Sequence, residues 1–311
     1  MALAFVFPGQ GSQSIGMLSA LAEKYPQVGQ TFNEASEALG FDLWQLCQQG
    51  PEEELNQTAN TQPAMLAAGV ATWRIWQAEG GAIPAVMAGH SLGEYTALVC
   101  SESLSFKDGI QLVADRGQFM QAAVPEGEGA MAAIIGLEDS AVYALCEAAA
   151  EKDVLSPVNF NSPGQVVIAG HRSAVQRAVE NAKAAGAKRA LILPVSVPSH
   201  CSLMETAAEQ MAKRLEETEF DEPRIPVIHN VDVSTHKEAE AIRAALIQQI
   251  EKPVKWVETV QKMAAEFAVD RLVECGPGKV LVGLNKRIEK SIETWSIHDP
   301  ESIALALSAL K

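Results

Sequence analysis

The chain opens on an uninterrupted apolar run, residues 2–7, that ends in Pro8-Gly9-Gln10-Gly11-Ser12-Gln13. A short apolar run bounded by glycine and proline predicts a strand buried on both faces and feeding a turn. Helical spacing of apolar positions follows over 17–38 and 62–78. Residues 83–88 predict a second buried strand, which stops at Gly89-His90-Ser91-Leu92-Gly93, and 94–100 then turns helical. Strands alternating with helices predict a parallel sheet covered on both faces.

The middle of the chain carries a different order. Strands are expected at 130–137, 155–160, 165–169 and 190–195, with helices at 140–150 and 174–184 and a strong turn at Asn161-Ser162-Pro163-Gly164. This β-α-β-β-α-β order is the split pattern of a ferredoxin-like unit. Pro125-Glu126-Gly127-Glu128-Gly129 and the stretch from Pro194 to Pro198 supply borders, so a small module stands inserted in a larger α/β domain. Beyond His200 the first pattern resumes. Helices are expected near 203–217, 238–250 and 256–267, an apolar segment spans 226–233, and a strand at 272–275 ends in Gly276-Pro277-Gly278.

Composition narrows the class. The 311 residues are 48% hydrophobic and 20% charged, an ordinary globular mix that excludes disorder. No stretch reaches the roughly 18 apolar residues of a membrane span. The opening run has no basic residue before Lys24, so neither a signal peptide nor a transit sequence is expected. Five cysteines stand singly and in odd number, which argues for reduced thiols in a cytoplasm and against a disulfide framework or a metal site. The net charge of −15 excludes non-specific binding to nucleic acid or to a membrane surface. Any anionic ligand must be held by a few placed bases against the overall field.

Gly89-x-Ser91-x-Gly93 between a strand and a helix is the nucleophile-elbow signature. Small flanking residues admit a tight turn that projects the serine hydroxyl and frees the Leu92 N–H to stabilise an oxyanion. The same five residues also suit a serine that only caps a helix. A nucleophilic serine needs a base. Of the six histidines, His90 would face the other side of the turn, His171, His236 and His298 lie in polar turn-like surroundings, and His229 follows an apolar strand as a structural histidine would. His200, in Val197-Pro198-Ser199-His200-Cys201 at the mouth of a helix, is the best placed. No acid between 91 and 200 has a distinctive strand-end setting, and a backbone carbonyl could orient the imidazole instead. Arg116 lies on a helix of apolar and small residues. It reads either as a surface arginine paired with an acid or as a planar fork aimed at a carboxylate in a cleft. The glycine turns at 9–16 and 276–279 lack the spacing of a nucleotide or phosphate loop.

Taken together, Phe7-Pro8-Gly9-Gln10-Gly11-Ser12-Gln13, Gly89-His90-Ser91-Leu92-Gly93-Glu94-Tyr95, Arg116-Gly117, 159–165, 197–201, Gln249 with Pro253-Val254-Lys255-Trp256, and Glu274-Cys275-Gly276-Pro277-Gly278 resemble the malonyl-CoA:acyl-carrier-protein transacylase family over essentially the whole chain. The resemblance implies an α/β-hydrolase-like domain over 1–126 and 198–311 with a ferredoxin-like insertion at 127–197. It implies Ser91 as nucleophile, His200 as base, Gln10 and the Leu92 N–H as oxyanion hole, and Arg116 as binder of the malonyl carboxylate. Gln249 falls where a main-chain carbonyl orients the histidine, and Asn161 and Val280 fall at positions around that histidine. Malonyl-CoA and holo acyl carrier protein are the implied partners of a cytoplasmic monomer without cofactor or metal, and Lys188, Arg189, Lys279, Lys286 and Arg287 are candidates for a basic docking rim. Lys255 and Ile250 depart from the family's commoner residues. Competing readings are a serine thioesterase or esterase, a malonyl transferase serving a polyketide pathway, and a non-catalytic acyl-binding scaffold.

Overall fold

A computed structural model describes residues 2–195 and 197–310. Among the described residues, nine strands form two sheets: β1 (Ala2–Phe7), β2 (Val86–Gly89), β3 (Gly129–Ile135), β4 (Leu155–Ser162), β5 (Gln165–His171), β6 (Arg189–Ile192), β7 (Val227–Ile228), β8 (Val269–Cys275) and β9 (Glu293–Ile297). The first sheet is parallel throughout, in the order β7-β2-β1-β8-β9. The second is antiparallel, in the order β4-β5-β3-β6.

β1 sits in the middle of the parallel sheet and is buried on both faces, as its unbroken apolar run requires. Phe5 and Phe7 enter the core under the helices Pro26–Leu39 and Thr58–Ala78, where Phe5 packs edge-on against Trp73 at 5.1 Å between ring centroids. Ala4 and Val6 point to the opposite face, against Trp256 and Val260 of the helix Trp256–Phe267. The antiparallel sheet divides its side chains with the same period of two. Ala130, Ala132 and Ile134 enter the module's own core, whereas Met131 and Ala133 meet Val158 and Cys201 at the seam between the two parts.

Several expected elements are shortened for local reasons. The helix expected over 17–38 is two, Ser19–Lys24 and Pro26–Leu39, because Tyr25 is held extended before Pro26, which then opens the second helix at its first position. The strand expected at 83–88 begins only at Val86: Pro84 has no N–H to donate and Ile83 is 80% exposed. In the apolar segment 226–233 only Val227–Ile228 pairs with β2. The small module keeps the expected order of strands and helices, its second helix running from Arg172 to Ala182.

The C-terminal ends of β1, β2, β7 and β8 lie side by side and each carries a loop, an arrangement that in open parallel sheets places ligands at the strand ends. The loop after β2 is held down by close backbone approach. A Cβ on Gly89 would run into the Gly93 backbone, and one on Gly93 would run into the carbonyl of Phe7. The helix Leu92–Cys100, buried at all nine positions, can cross β1 only because both residues lack side chains. Gly93→Ala should therefore cost more than about 2 kcal/mol, read as a lowered denaturant midpoint at unchanged slope. A variant as stable as the parent would show that the crossing has room to spare.

Candidate active site

Ser91 sits at the bend with φ 51° and ψ −108°, a conformation that L-residues adopt only under strain. Its N–H donates to Asn230 Oδ1 at 2.7 Å, and Asn230 Nδ2 donates to the Gly89 carbonyl at 2.7 Å, so one asparagine after β7 clamps both sides of the turn. The next N–H groups are claimed locally: Gly93 donates to the His90 carbonyl and Glu94 to that of Ser91. Leu92, the first residue of the helix, has no intrahelical partner for its N–H, which stays at the turn beside the serine.

His200, 3% exposed, also has a positive φ, 67°. Its backbone N–H donates to the Ile250 carbonyl at 3.1 Å, which fixes the loop against the end of the helix Ala239–Glu251. The ring spans two partners: Nδ1 is 2.7 Å from the main-chain carbonyl of Gln249, and Nε2 is 2.8 Å from Ser91 Oγ. A carbonyl can only accept, so Nδ1 carries the proton and Nε2 presents a lone pair to the serine hydroxyl. Burial pushes the imidazole down to about 3, with the neighbouring Arg116 charge adding to the effect and the Gln249 carbonyl opposing it. The ring is therefore neutral near pH 7 and able to take a proton.

Arg116 is 1% exposed, which removes the surface-pair reading. It lies on the helix Phe106–Ala122 next to Gly117, where a Cβ would stand 2.7 Å from the backbone of Thr58 and Ala59. The close approach of the two helices turns Arg116 into the interior. Nη2 reaches Ser91 Oγ at 3.2 Å and Gln249 Oε1 at 2.9 Å, and Nη1 reaches Gln62 Oε1 at 2.8 Å. Tyr95 underlies the guanidinium, 5.4 Å from its ring centroid. Nε is buried with no hydrogen-bond partner among the described residues. Among the described residues no carboxylate touches the fork, and burial lowers its affinity for the proton.

Ser91, His200 and Arg116 thus converge on one cavity of about 110 Å³, lined also by Gln10, Gln62, His90, Leu92, Met120, Met131, Leu193 and Val195. The antiparallel sheet and the segment after it close it from above. Gln10 stands at its mouth, exposed, with Nε2 3.4 Å from Thr58 Oγ1. One expected neighbour of the histidine lies elsewhere. Asn161 bonds His90 Nε2 at 2.8 Å and not His200, both of whose ring nitrogens are already engaged. Val280 is half exposed at the head of its helix, where the following N–H groups of Leu281 and Val282 donate to the buried Glu274 carboxyl, at 3.1 and 2.8 Å. Burial raises that carboxyl to about 7. The five candidate docking bases are all exposed, and Arg287 reaches Gln165 at the head of β5 at 3.0 Å.

Sequence reasoning did not single out Gln62, Glu94 or Asn230. Gln62 is the one with a visible signal, an amide directly before the apolar and small helical run from Pro63 to Ala68.

Comparison with known proteins agrees with this geometry. The model of the acyl transferase domain family matches residues 4–298. The malonyl CoA-acyl carrier protein transacylase of Escherichia coli strain K12 is 59% identical over 304 residues, 98% of each chain, and that of Salmonella typhimurium strain LT2 is 58% identical over 305 residues, again 98% of each. Among solved structures, the transacylase of Coxiella burnetii superposes with a TM-score of 0.98 at 52% identity, covering 100% of this chain and 98% of that one. A malonyl-transacylase solved in complex with its type II polyketide-synthase acyl-carrier protein gives 0.98 at 56% identity, covering 99% and 100%. The chain belongs to the acyl transferase domain family and, within it, to the malonyl CoA-acyl carrier protein transacylases.

Proposed function

We propose that this protein moves a malonyl group from malonyl-CoA to the phosphopantetheine thiol of acyl carrier protein, through an ester on Ser91, to supply fatty-acid synthesis. The observation that carries the reading is the buried guanidinium 3.2 Å from the serine hydroxyl that His200 activates. Relatives at 58–59% identity carry the name of this activity.

Ser91 Oγ attacks the thioester carbonyl while its proton passes to His200 Nε2. The tetrahedral oxyanion forms against the Leu92 N–H, with the Gln10 amide turned inward from Thr58; losing one such donor typically costs about 2.7–4 kcal/mol of barrier. Collapse breaks the carbon–sulfur bond, and the CoA thiolate takes the proton from the imidazolium. The carrier's thiol then attacks the ester by the same route in reverse, its proton passing to His200 and on to the departing Ser91 oxygen. Thioester is exchanged for thioester, so the overall equilibrium lies near balance and the kinetics are ping-pong.

Arg116 selects the acyl group. The unpartnered Nε and the Nη2 hydrogen now given to Ser91 Oγ, a contact to be exchanged for the substrate, offer the two parallel donors that a carboxylate accepts. An acetyl group leaves that fork facing a methyl group, a penalty on the order of 3–5 kcal/mol. A serine hydrolase would share Ser91 and His200 but would have no use for the cation, and its histidine is commonly held by an acid where this one meets a main-chain carbonyl. The likeness to a polyketide-associated transacylase favours a polyketide carrier as a second acceptor.

The finer architecture belongs to this reading. Strands β3 to β6, taken as one to four, run 4-1-3-2 across an antiparallel sheet with both helices in one core, which supports a ferredoxin-like insertion at 127–197. A parallel sheet with a nucleophile elbow after β2 supports an α/β-hydrolase-like domain over 1–126 and 198–311. No helix of the described residues is long and apolar enough to cross a membrane, and five free thiols accord with the cytoplasm.

Incubation with malonyl-CoA should add one malonyl group to Ser91, visible by mass, stable in water and removed by holo carrier protein. Arg116→Ala should lower malonyl transfer at least about a hundredfold and gain acetyl transfer; unchanged malonyl specificity constants would remove the arginine from this role. The His200 value near 3 lies below the ordinary imidazole value of about 6.5, so its neutral form persists as the pH falls through 6.5. The rate of Ser91 acylation should accordingly stay flat through pH 6.5 and decline only as pH approaches the lower value. A limb centred on 6.5 would show an ordinary imidazole. Charge reversal at Lys286 and Arg287 should raise the Michaelis constant for the acidic carrier far more than it changes the first half-reaction; equal constants would place the rim elsewhere.

A further inference from the structure

Beneath the reacting groups lies a second layer of buried charge. Glu94, fully buried in the first turn of the helix Leu92–Cys100, accepts three hydrogen bonds. His229 Nδ1 reaches Oε1 at 2.7 Å, while the Asn230 N–H and Gln249 Nε2 each reach Oε2 at 2.9 Å. His229 and Gln249 are themselves fully buried. The Gln249 side chain faces upward as well: its Oε1 accepts from Arg116 Nη2 at 2.9 Å, and its Nε2 also donates to the Ser91 carbonyl at 3.0 Å.

We propose that Glu94 is a positioning residue for acyl-group selectivity, its carboxylate orienting the Gln249 amide that holds the Arg116 fork beside Ser91. The inference rests on the reading of Arg116 as the binder of the malonyl carboxylate. Donor and acceptor chemistry gives the amide only one satisfactory orientation. A guanidinium can only donate, so the atom facing Arg116 must be the amide oxygen. The amide nitrogen then meets the Ser91 carbonyl and the Glu94 carboxylate, both acceptors. A carboxylate cannot donate, so it reinforces, with a charge-assisted hydrogen bond, the orientation that the guanidinium and the Ser91 carbonyl require. His229 and Asn230 secure it from the other side by keeping Glu94 itself in place.

Replacing the carboxylate by an amide weakens that hold. In Glu94→Gln the Asn230 N–H keeps the new amide's oxygen at the position of Oε2, so Gln249 keeps its orientation but exchanges a charge-assisted hydrogen bond for a neutral one. The Gln249 amide, and with it Arg116 Nη2, is then held less firmly beside the serine. The Gln249 main-chain carbonyl belongs to the helix backbone and would still hold His200. Selectivity should therefore fail before reactivity does. An acid that served only stability, through packing or the helix dipole, would leave the ratio between acyl groups unmoved.

The test is the ratio of specificity constants for malonyl-CoA over acetyl-CoA in acyl-enzyme formation, read by mass. It is measured for the parent, Glu94→Gln, Gln249→Met, the double variant and Arg116→Ala, with folding checked by thermal melting. Gln249→Met deletes the amide and keeps the main-chain carbonyl. Each single change should lower the ratio about tenfold, mainly through the malonyl Michaelis constant, and the double variant should be no worse than the stronger single. Additive losses, or an unchanged ratio in folded Glu94→Gln, would overturn the proposal. If Glu94→Gln does not fold, Gln249→Met decides alone: a lowered ratio supports the relay and an unchanged one overturns it. Should Arg116→Ala keep the malonyl preference, the reading of the arginine fails; should it lose the preference while both other variants retain it, only the role of Glu94 fails.

Discussion

A guanidinium withdrawn from water next to a serine is the constraint from which the rest of the site follows. Removing such a charge from solvent costs several kcal/mol even after relaxation. Among the described residues that cost is met without a direct ion pair. Gln62 and Gln249 give Arg116 neutral oxygen acceptors, the face of Tyr95 lies beneath it, and the carboxylate of Glu94 sits one amide further on. The cation's field helps to keep His200 unprotonated, so the same charge that attracts a carboxylate also preserves the base. Helix packing makes this possible, since only a glycine at 117 brings the arginine's helix onto the backbone of Thr58 and Ala59.

The two reacting side chains are both held by backbone that would not adopt its conformation unaided. Ser91 and His200 have φ of 51° and 67°, strain of order 1–3 kcal/mol at each. The compensation comes from elements distant in sequence. Asn230 after β7 clamps the serine turn, and the Ile250 carbonyl at the end of a helix anchors the histidine loop. The parallel sheet therefore contributes more than a platform: the ends of β2 and β7 and the end of the helix Ala239–Glu251 converge to hold these two backbone bends. A second pair of links ties the inserted module to this frame. Phe160 N–H donates to the Val254 carbonyl at 3.0 Å and Val254 N–H to that of Val158 at 2.8 Å, which keeps the module's sheet over the cavity.

Features governed by local periodicity were legible in the sequence. The run at 2–7 is a two-faced buried strand, 256–267 is a helix with those same bounds, and the module's strand and helix order stands as read. Features governed by tertiary approach were not. Nothing in the spacing around Arg116 distinguishes a solvated face from one turned inward, because the deciding contact is with a helix some fifty residues earlier. Residues 83–88 look like a full strand until Pro84 is weighed against the ladder it would have to join. Carrying Asn161 over to His200 fails because sequence order cannot say which of two histidines a loop will meet, and Asn161 meets His90. Glu94 was visible as part of the elbow motif, yet a glutamate in the first turn of a helix is unremarkable until its three buried donors are seen.

A neutral carbonyl on His200, where serine enzymes commonly place an acid, makes electrostatic sense in a site that must hold a second carboxylate. An acid on Nδ1 would lie in the same small pocket as Arg116. It would raise the imidazole's affinity for protons and offer the guanidinium an internal partner in competition with the substrate. The Gln249 carbonyl fixes the ring's tautomer without adding charge. The necessary negative charge is carried instead by Glu94, near enough through one amide to offset the buried cation and too far to occupy its fork. Gln249 is the residue that makes both arrangements compatible, its backbone oxygen serving the base and its side chain serving the arginine. Orientation of the proton acceptor and recognition of the acyl group thus depend on the seating of one helix end against the serine turn.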